Sequence, residues 1–212
     1  MKKLSYLRIK QQLPKEVNLL AVSKGIDFFN IKFIHDLGQN HFGESKVQEA
    51  IIKQNNFKNN KYIKWHFIGR IQSNKVNKIV SKFDYIHSVD SYEKLLKISN
   101  AALQLEKIPK LMIQVKFLDD PNKGGITLEE LIHNWSEFKK LRGIKIIGLM
   151  TINPKGLTSN ENLNLYKKCR SLADTLELSE CSMGMSQDWK EAIEAGATWI
   201  RIGSSIFGER KV

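Results

Sequence analysis

Leu19-Leu20-Ala21-Val22-Ser23-Lys24-Gly25 sets four apolar residues directly against a serine, a lysine and a glycine. The apolar run reads as a strand buried on both faces, as in a parallel sheet covered by helices. Lys24 stands where that strand ends, and in α/β folds the C-terminal strand ends carry the chemistry. A lysine that loses solvation there presents a neutral amine to an aldehyde. A lone strand-end lysine also commonly snorkels into water, so the remainder of the chain decides between the two.

Outward from this stretch the same unit recurs. Further strands are predicted at His41 to Glu44, Tyr62 to Gly69, Tyr85 to Asp90, Lys110 to Val115, Ile144 to Met150, Ser179 to Met183 and Trp199 to Ile202. Helical patterns alternate with them. Tyr6 to Leu13 opens the chain, and Ile26 to Leu37 carries Phe29, Phe33 and Leu37 at helical spacing. Leu95, Leu96, Ala102 and Leu103 mark the helix that starts at Ser91, and Thr127-Leu128-Glu129-Glu130 reads as a capping box. Ser45 to Ile52, a stretch from Gln72, Ser159 to Leu176 and Ser186 to Ala195 supply the others. Regular alternation means a parallel sheet. Eight units predict one domain over residues 1–212, a closed (β/α)8 TIM-type barrel, compact beside the ~250 residues that are typical. An open doubly wound sheet is the alternative. It usually carries GxGxxG or GxxxxGK[ST] after its first strand, and neither pattern occurs.

Composition narrows the function. The 212 residues carry a net charge of +12, which invites nucleic acid. The lysines are, however, spread along the chain and mixed with asparagines, as from Lys53 to Lys61, with no RNP-like or zinc-finger pattern. They read as a solvated surface that helps steer a phosphorylated small molecule. Cys169 and Cys181 do not form a CxxC pair, and the histidines (His35, His41, His66, His87, His133) show no metal-ligand spacing. No apolar run approaches the ~20 residues of a membrane span, and no signal core follows the basic start. A soluble, cytoplasmic monomer is expected, binding neither membrane nor nucleic acid.

On a barrel, the residues after the strands form the rim. Lys24, Ser45, Ile68, Met150 and the stretches Ser182-Met183-Gly184-Met185-Ser186 and Arg201-Ile202-Gly203-Ser204-Ser205 all fall there. Loops after strands seven and eight of barrels often bind phosphate. Gly184 and Gly203 let backbone amides come close, and Ser182, Ser204 and Ser205 offer hydroxyls; ordinary glycine turns and serine caps look the same. Arg201, inside an apolar strand, must either pair with a carboxylate or face a ligand, such as a heteroaromatic nitrogen. Trp65 and His66 read as packing or hydrogen-bonded structural residues, with His66 near the same rim. A carbonyl-reactive lysine, a phosphate cradle and a buried arginine together suggest pyridoxal 5′-phosphate (PLP), held as a Schiff base on Lys24.

Leu20-Ala21-Val22-Ser23-Lys24, Phe42-Gly43-Glu44, Val47-Gln48-Glu49-Ala50, Trp65-His66-Phe67-Ile68-Gly69, Gln72-Ser73-Asn74-Lys75, Gly148-Leu149-Met150, Ser182-Met183-Gly184-Met185-Ser186, Arg201-Ile202-Gly203 and Ile206-Phe207-Gly208 stand in the order and spacing of a known family. From about Val17 to Arg210 the chain resembles the pyridoxal phosphate homeostasis proteins. The resemblance implies a barrel like the N-terminal domain of alanine racemase, with PLP on Lys24. It places Ser182, Gly203 and Ser204 around the phosphate and Arg201 near the pyridine nitrogen, which stays unprotonated. Gly184, Ser45, Ile68 and Met150 complete the expected cofactor-binding set. The implied role is PLP balance rather than catalysis, with apo-enzymes as recipients of PLP. The chain departs from the pattern at Ser45-Lys46, at Gln187 and at Ile26, where many relatives carry a second lysine. Lys123, in Asn122-Lys123-Gly124-Gly125, matches a loop lysine of the family. An amino-acid racemase is the competing function. Two-base racemases of this fold take a tyrosine from a second domain, and none of Tyr62, Tyr85, Tyr92 or Tyr166 lies at a predicted strand end.

Overall fold

The computed structural model describes residues 2–120 and 123–208. The two ends of the expected 1–212 domain, Asn122 of the lysine loop and Arg210 at the end of the family resemblance lie outside the described residues.

Eight parallel strands close into a barrel in sequence order. They are β1 (Asn18–Val22), β2 (His41–Glu44), β3 (Lys64–Phe67), β4 (Tyr85–Val89), β5 (Lys110–Gln114), β6 (Lys145–Met150), β7 (Glu180–Ser182) and β8 (Trp199–Ile202). Closure is made by β8 against β1, with Leu20 opposite Arg201, while on the other edge of β1 Val22 lies opposite Gly43. The helices are α1 (Lys2–Gln12), α2 (Phe28–Asp36), α3 (Val47–Asn56), α4 (Val76–Lys82), α5 (Tyr92–Gln104), α6 (Leu128–Lys140), α7 (Ser159–Thr175), α8 (Trp189–Glu194) and α9 (Ser204–Phe207). A single 3-10 turn at Ser73–Lys75 precedes α4.

Strand alternation divides the apolar side chains into two cores. The larger lies between strands and helices and includes Ala21, Ile31, Ile34, Phe42, Phe67, Ile86, Leu95 and Ile200. The smaller fills the barrel interior with Leu20, Met112, Met150 and Trp199, backed by Ile68 and Tyr85. The interior also holds polar groups, because His66, His87, Ser182 and Arg201 are all buried.

Three helices differ from the sequence expectation in instructive ways. In α2 the buried stripe is Ile31 and Ile34, whereas Phe29 is 79% exposed and Phe33 44%. Both stripes have helical spacing, and packing on the barrel buries the Ile31 and Ile34 stripe. In α5 Leu95, Ile98, Ala101 and Ala102 face inward while Leu96 and Leu103 are partly exposed. Thr127 caps α6 by accepting from the Glu130 N–H. The reciprocal box forms instead at α7, between Thr158 and Glu161.

Two glycines set close approaches at the C-terminal rim. A Cβ on Gly69 would lie 2.1 Å from the Ser45 carbonyl oxygen, so the chain after β3 packs directly on the chain after β2. Gly184 has φ +84°, and its Cβ would lie 2.5 Å from that of Ala192. Only glycine meets both demands there.

Candidate functional site

The C-terminal strand ends surround a cavity of about 680 Å³, within the range of small-molecule sites. Lys24 after β1, Ile68 after β3, Met150 on β6, Arg201 on β8 and Gly203 and Ser204 beyond it share its wall. The loop after β6, including Asn153, Pro154 and Gly156, and Met185, Ser186 and Gln187 after β7 also line it.

The backbone at Lys24 is pinned on both sides. Lys53 on α3 donates to the Ser23 carbonyl (2.7 Å), to Glu44 Oε1 (2.8 Å) and to Glu49 Oε1 (2.6 Å), which uses all three ammonium protons. Ser23 Oγ donates to Glu44 Oε1 (2.6 Å), and the Gly25 N–H donates to Glu49 Oε1 (2.5 Å). Lys53 is 7% exposed and Glu44 wholly buried. Burial pushes the Glu44 carboxyl up, against the pull of Lys53 and Ser23. Glu44 Oε2 is buried without a hydrogen-bond partner among the described residues.

Arg201 is anchored from below. Its Nη1 donates to the carbonyl (2.6 Å) and hydroxyl (2.9 Å) of Ser182, and its Nη2 to the Thr151 carbonyl (2.8 Å). A guanidinium has five N–H donors, and three of them are committed in this way among the described residues, on a side chain that lines the cavity. No carboxylate forms an ion pair with Arg201 among the described residues; carbonyl dipoles hold it instead. The loop after β7 is fixed in turn. Its Gly184 carbonyl accepts from the Arg201 N–H (3.0 Å), and Asp188 accepts from the Met185 N–H (2.6 Å) and the Tyr166 hydroxyl (2.8 Å). Ser204 Oγ lies 3.1 Å from Ser186 Oγ, joining the loops after β7 and β8.

A line of histidines runs up the barrel interior. His41 Nδ1 lies 2.9 Å from His66 Nε2, His66 Nδ1 lies 2.8 Å from His87 Nε2, and His87 Nδ1 lies 2.9 Å from Ser182 Oγ. Tyr85 stacks on His66 with ring centroids 4.1 Å apart. Burial lowers all three histidines: His41 to about 4, with Lys64, Lys10 and Lys110 adding and Asp84 opposing; His87 to about 3, with Arg201 and His41 adding; His66 well below 6.5. A depressed folded pKa means that the unfolded chain binds more protons. The resulting stability is present above pH 6.5 and is lost as pH falls through the folded values. Glu44, raised by burial, works in the opposite sense as pH rises above 4.5. The urea midpoint is therefore expected to fall steeply from pH 6.5 toward pH 4, less so in His87→Leu; a flat profile across that window would contradict the burial of neutral histidines.

Comparison with known proteins bears on the family and the fold. Residues 5–211 match the family model of the alanine racemase N-terminal domain. The pyridoxal phosphate homeostasis protein of Synechocystis sp. is 43% identical over 97% of each chain. That of Escherichia coli (strain K12) is 33% identical over 93% of this chain and 87% of its own. The chain belongs to the pyridoxal phosphate homeostasis protein family. PipY of Synechococcus elongatus, solved with PLP bound, superposes with a TM-score of 0.94 at 40% identity, covering 98% of this chain and 100% of PipY. An alanine racemase of Clostridium difficile shares the fold, with a TM-score of 0.78 at 16% identity over 100% of this chain and 57% of its own.

In this homeostasis-family barrel, Lys24, Ile68, Met150, Arg201, Gly203 and Ser204 come together on one cavity. Ser182 sits behind Arg201, wholly buried between it and His87. Gly184 meets Arg201 through its carbonyl, and Ser45 packs its backbone on Gly69. The helix expected from Ser186 begins at Trp189, because Asp188 bonds back to Met185 and opens a turn. Lys123 donates to the Asn153 carbonyl beside the cavity and pairs with Asp120 at 3.7 Å. Sequence reasoning passed over Lys53, hidden in a run read as solvated surface, and Asn153 and Asp188. It also passed over the histidine line, although a histidine in each of three consecutive strands was a visible signal. Among the described residues there is no cluster suited to a metal ion and no helix long and apolar enough to cross a membrane.

Proposed function

We propose that this protein binds PLP in the Lys24 cavity and serves as a carrier that keeps PLP available to apo-enzymes, rather than as a catalyst. One observation carries the reading: Lys24 and Arg201, a primary amine and a guanidinium anchored by three hydrogen bonds, stand on the walls of one cavity. Two supports accompany it. The relative PipY was solved with PLP bound, and relatives up to 43% identical are named as homeostasis proteins.

The residues fit the cofactor. When bound, PLP supplies an aldehyde that condenses with a primary amine. Lys24 is the amine, and the Lys53–Glu44–Glu49 network holds the backbone on either side of it. Gly203, Ser204 and Ser186 offer an N–H and hydroxyls to a phosphate at the rim. Arg201 presents donors and a fixed positive charge, which disfavours a proton on any ring nitrogen placed against it. A ring held unprotonated is a poorer electron sink, which suits carriage better than turnover. The Tyr166 hydroxyl is committed to Asp188 and burial raises its pKa, so it does not serve as a second base. A closed barrel leaves no sheet edge for pairing, in keeping with a monomer that works in the cytoplasm as a single barrel domain.

Titration of the purified protein with PLP is expected to give a visible band of bound cofactor that is absent from Lys24→Ala. Alanine of either hand is expected to show no racemisation. A colourless protein in excess PLP would overturn the binding reading, and steady turnover would overturn the carrier reading.

A further inference from the structure

We propose that His41, His66, His87 and Ser182 act as one proton-ordered chain of positioning residues, which fixes Arg201 in the cavity wall from the opposite end of the barrel. The order follows from counting protons. Arg201 Nη1 donates to Ser182 Oγ, whose other partner among the described residues is His87 Nδ1. If His87 also donated, the buried Ser182 hydroxyl proton would have no acceptor, at a cost of the desolvation of that group. Ser182 therefore donates to His87 Nδ1. A neutral imidazole has one N–H and one lone pair, so His87 Nε2–H donates to His66 Nδ1, and His66 Nε2–H donates to His41 Nδ1. All three rings are then Nε2–H tautomers.

The chain works only while it is neutral, because an imidazolium has two donors and no acceptor. Its surroundings enforce that. His66 and His87 are wholly buried. Lys64, Lys10 and Lys110 disfavour charge on His41 against the single opposing Asp84, Lys110 does so on His66, and Arg201 on His87. The line begins at the first residue of β2, at the base, and ends under a residue of the cavity at the C-terminal strand ends. A change at His41 thus reaches Arg201 through four hydrogen bonds, the last two made at the Ser182 hydroxyl. The consequence for PLP rests on the function proposed above, whereas the proton order does not.

Histidine-selective 15N labelling of the protein without PLP tests the order directly. Long-range proton–nitrogen spectra at pH 7 are expected to show Nε2–H tautomers for His41, His66 and His87. An Nδ1–H tautomer at His87, or an imidazolium at any of the three, would overturn the proposal. In His41→Phe, the Arg201 side-chain N–H signal is expected to exchange faster and PLP to bind about three- to tenfold more weakly, the worth of one lost hydrogen bond. His41→Gln, whose amide oxygen accepts from His66, is expected to restore both. An unchanged Arg201 signal in a folded His41→Phe would overturn the positioning role. If the wild type shows the expected tautomers but takes up no PLP, the proposed function fails and the chain stands.

Discussion

Lys53→Met is expected to destabilise the protein by about 3–5 kcal/mol, the loss that follows when one partner of a buried ion pair is removed. Methionine keeps the volume of the stem but leaves Glu44, wholly buried, without the ammonium at 2.8 Å. Glu49 Oε1 and the Ser23 carbonyl each lose one of two donors in the same step, keeping the Gly25 and Ile26 N–H groups respectively. For a chain of this size the melting midpoint is expected to drop by roughly 6–20 °C. Adding Glu44→Gln removes the stranded charge and is expected to recover a large part of the loss. Calorimetry checks both; a single variant within about 1 kcal/mol of wild type would show that Lys53 is not the counter-charge of Glu44. The effect extends to the cavity, because this network holds the backbone on both sides of Lys24.

Arg201→Glu is expected to abolish PLP retention. The substitution removes three hydrogen bonds and turns a carboxylate toward the Ser182 and Thr151 carbonyls. A buried carboxylate without a partner takes up a proton or unfolds its surroundings. Arg201→Gln is the milder variant. Its single amide NH2 keeps a neutral donor but loses the charge and at least one of the three hydrogen bonds, so PLP is expected to bind about ten- to hundredfold more weakly, the worth of a charge-assisted hydrogen bond. Equilibrium titration by absorbance reads both. An unchanged affinity in Arg201→Gln would remove Arg201 from the PLP contacts.

The barrel was legible because its signals are local. Apolar runs that end in Ser-Lys-Gly, Gly-Glu or Ile-Gly mark the rim one strand at a time, and β2 and β8 match residue for residue. What stayed hidden depends on closure. Whether α2 buries Phe29 or Ile31 is set by which face packs on the sheet, which no window of the sequence contains. Lys53 looks like its neighbours Lys58 and Lys61 until α3 turns it under β2. Ser182 reads as a rim hydroxyl, and only the closed interior shows it committed to His87 and Arg201. The histidines are 25 and 21 residues apart, and the barrel alone brings them within hydrogen-bond distance.

Borohydride reduction of the protein loaded with PLP, followed by peptide mapping, bears most directly on the central claim. The predicted result is one stable adduct, on the peptide that contains Lys24. An adduct mapped to Lys123 or Lys53, or spread over the surface lysines, would contradict the account.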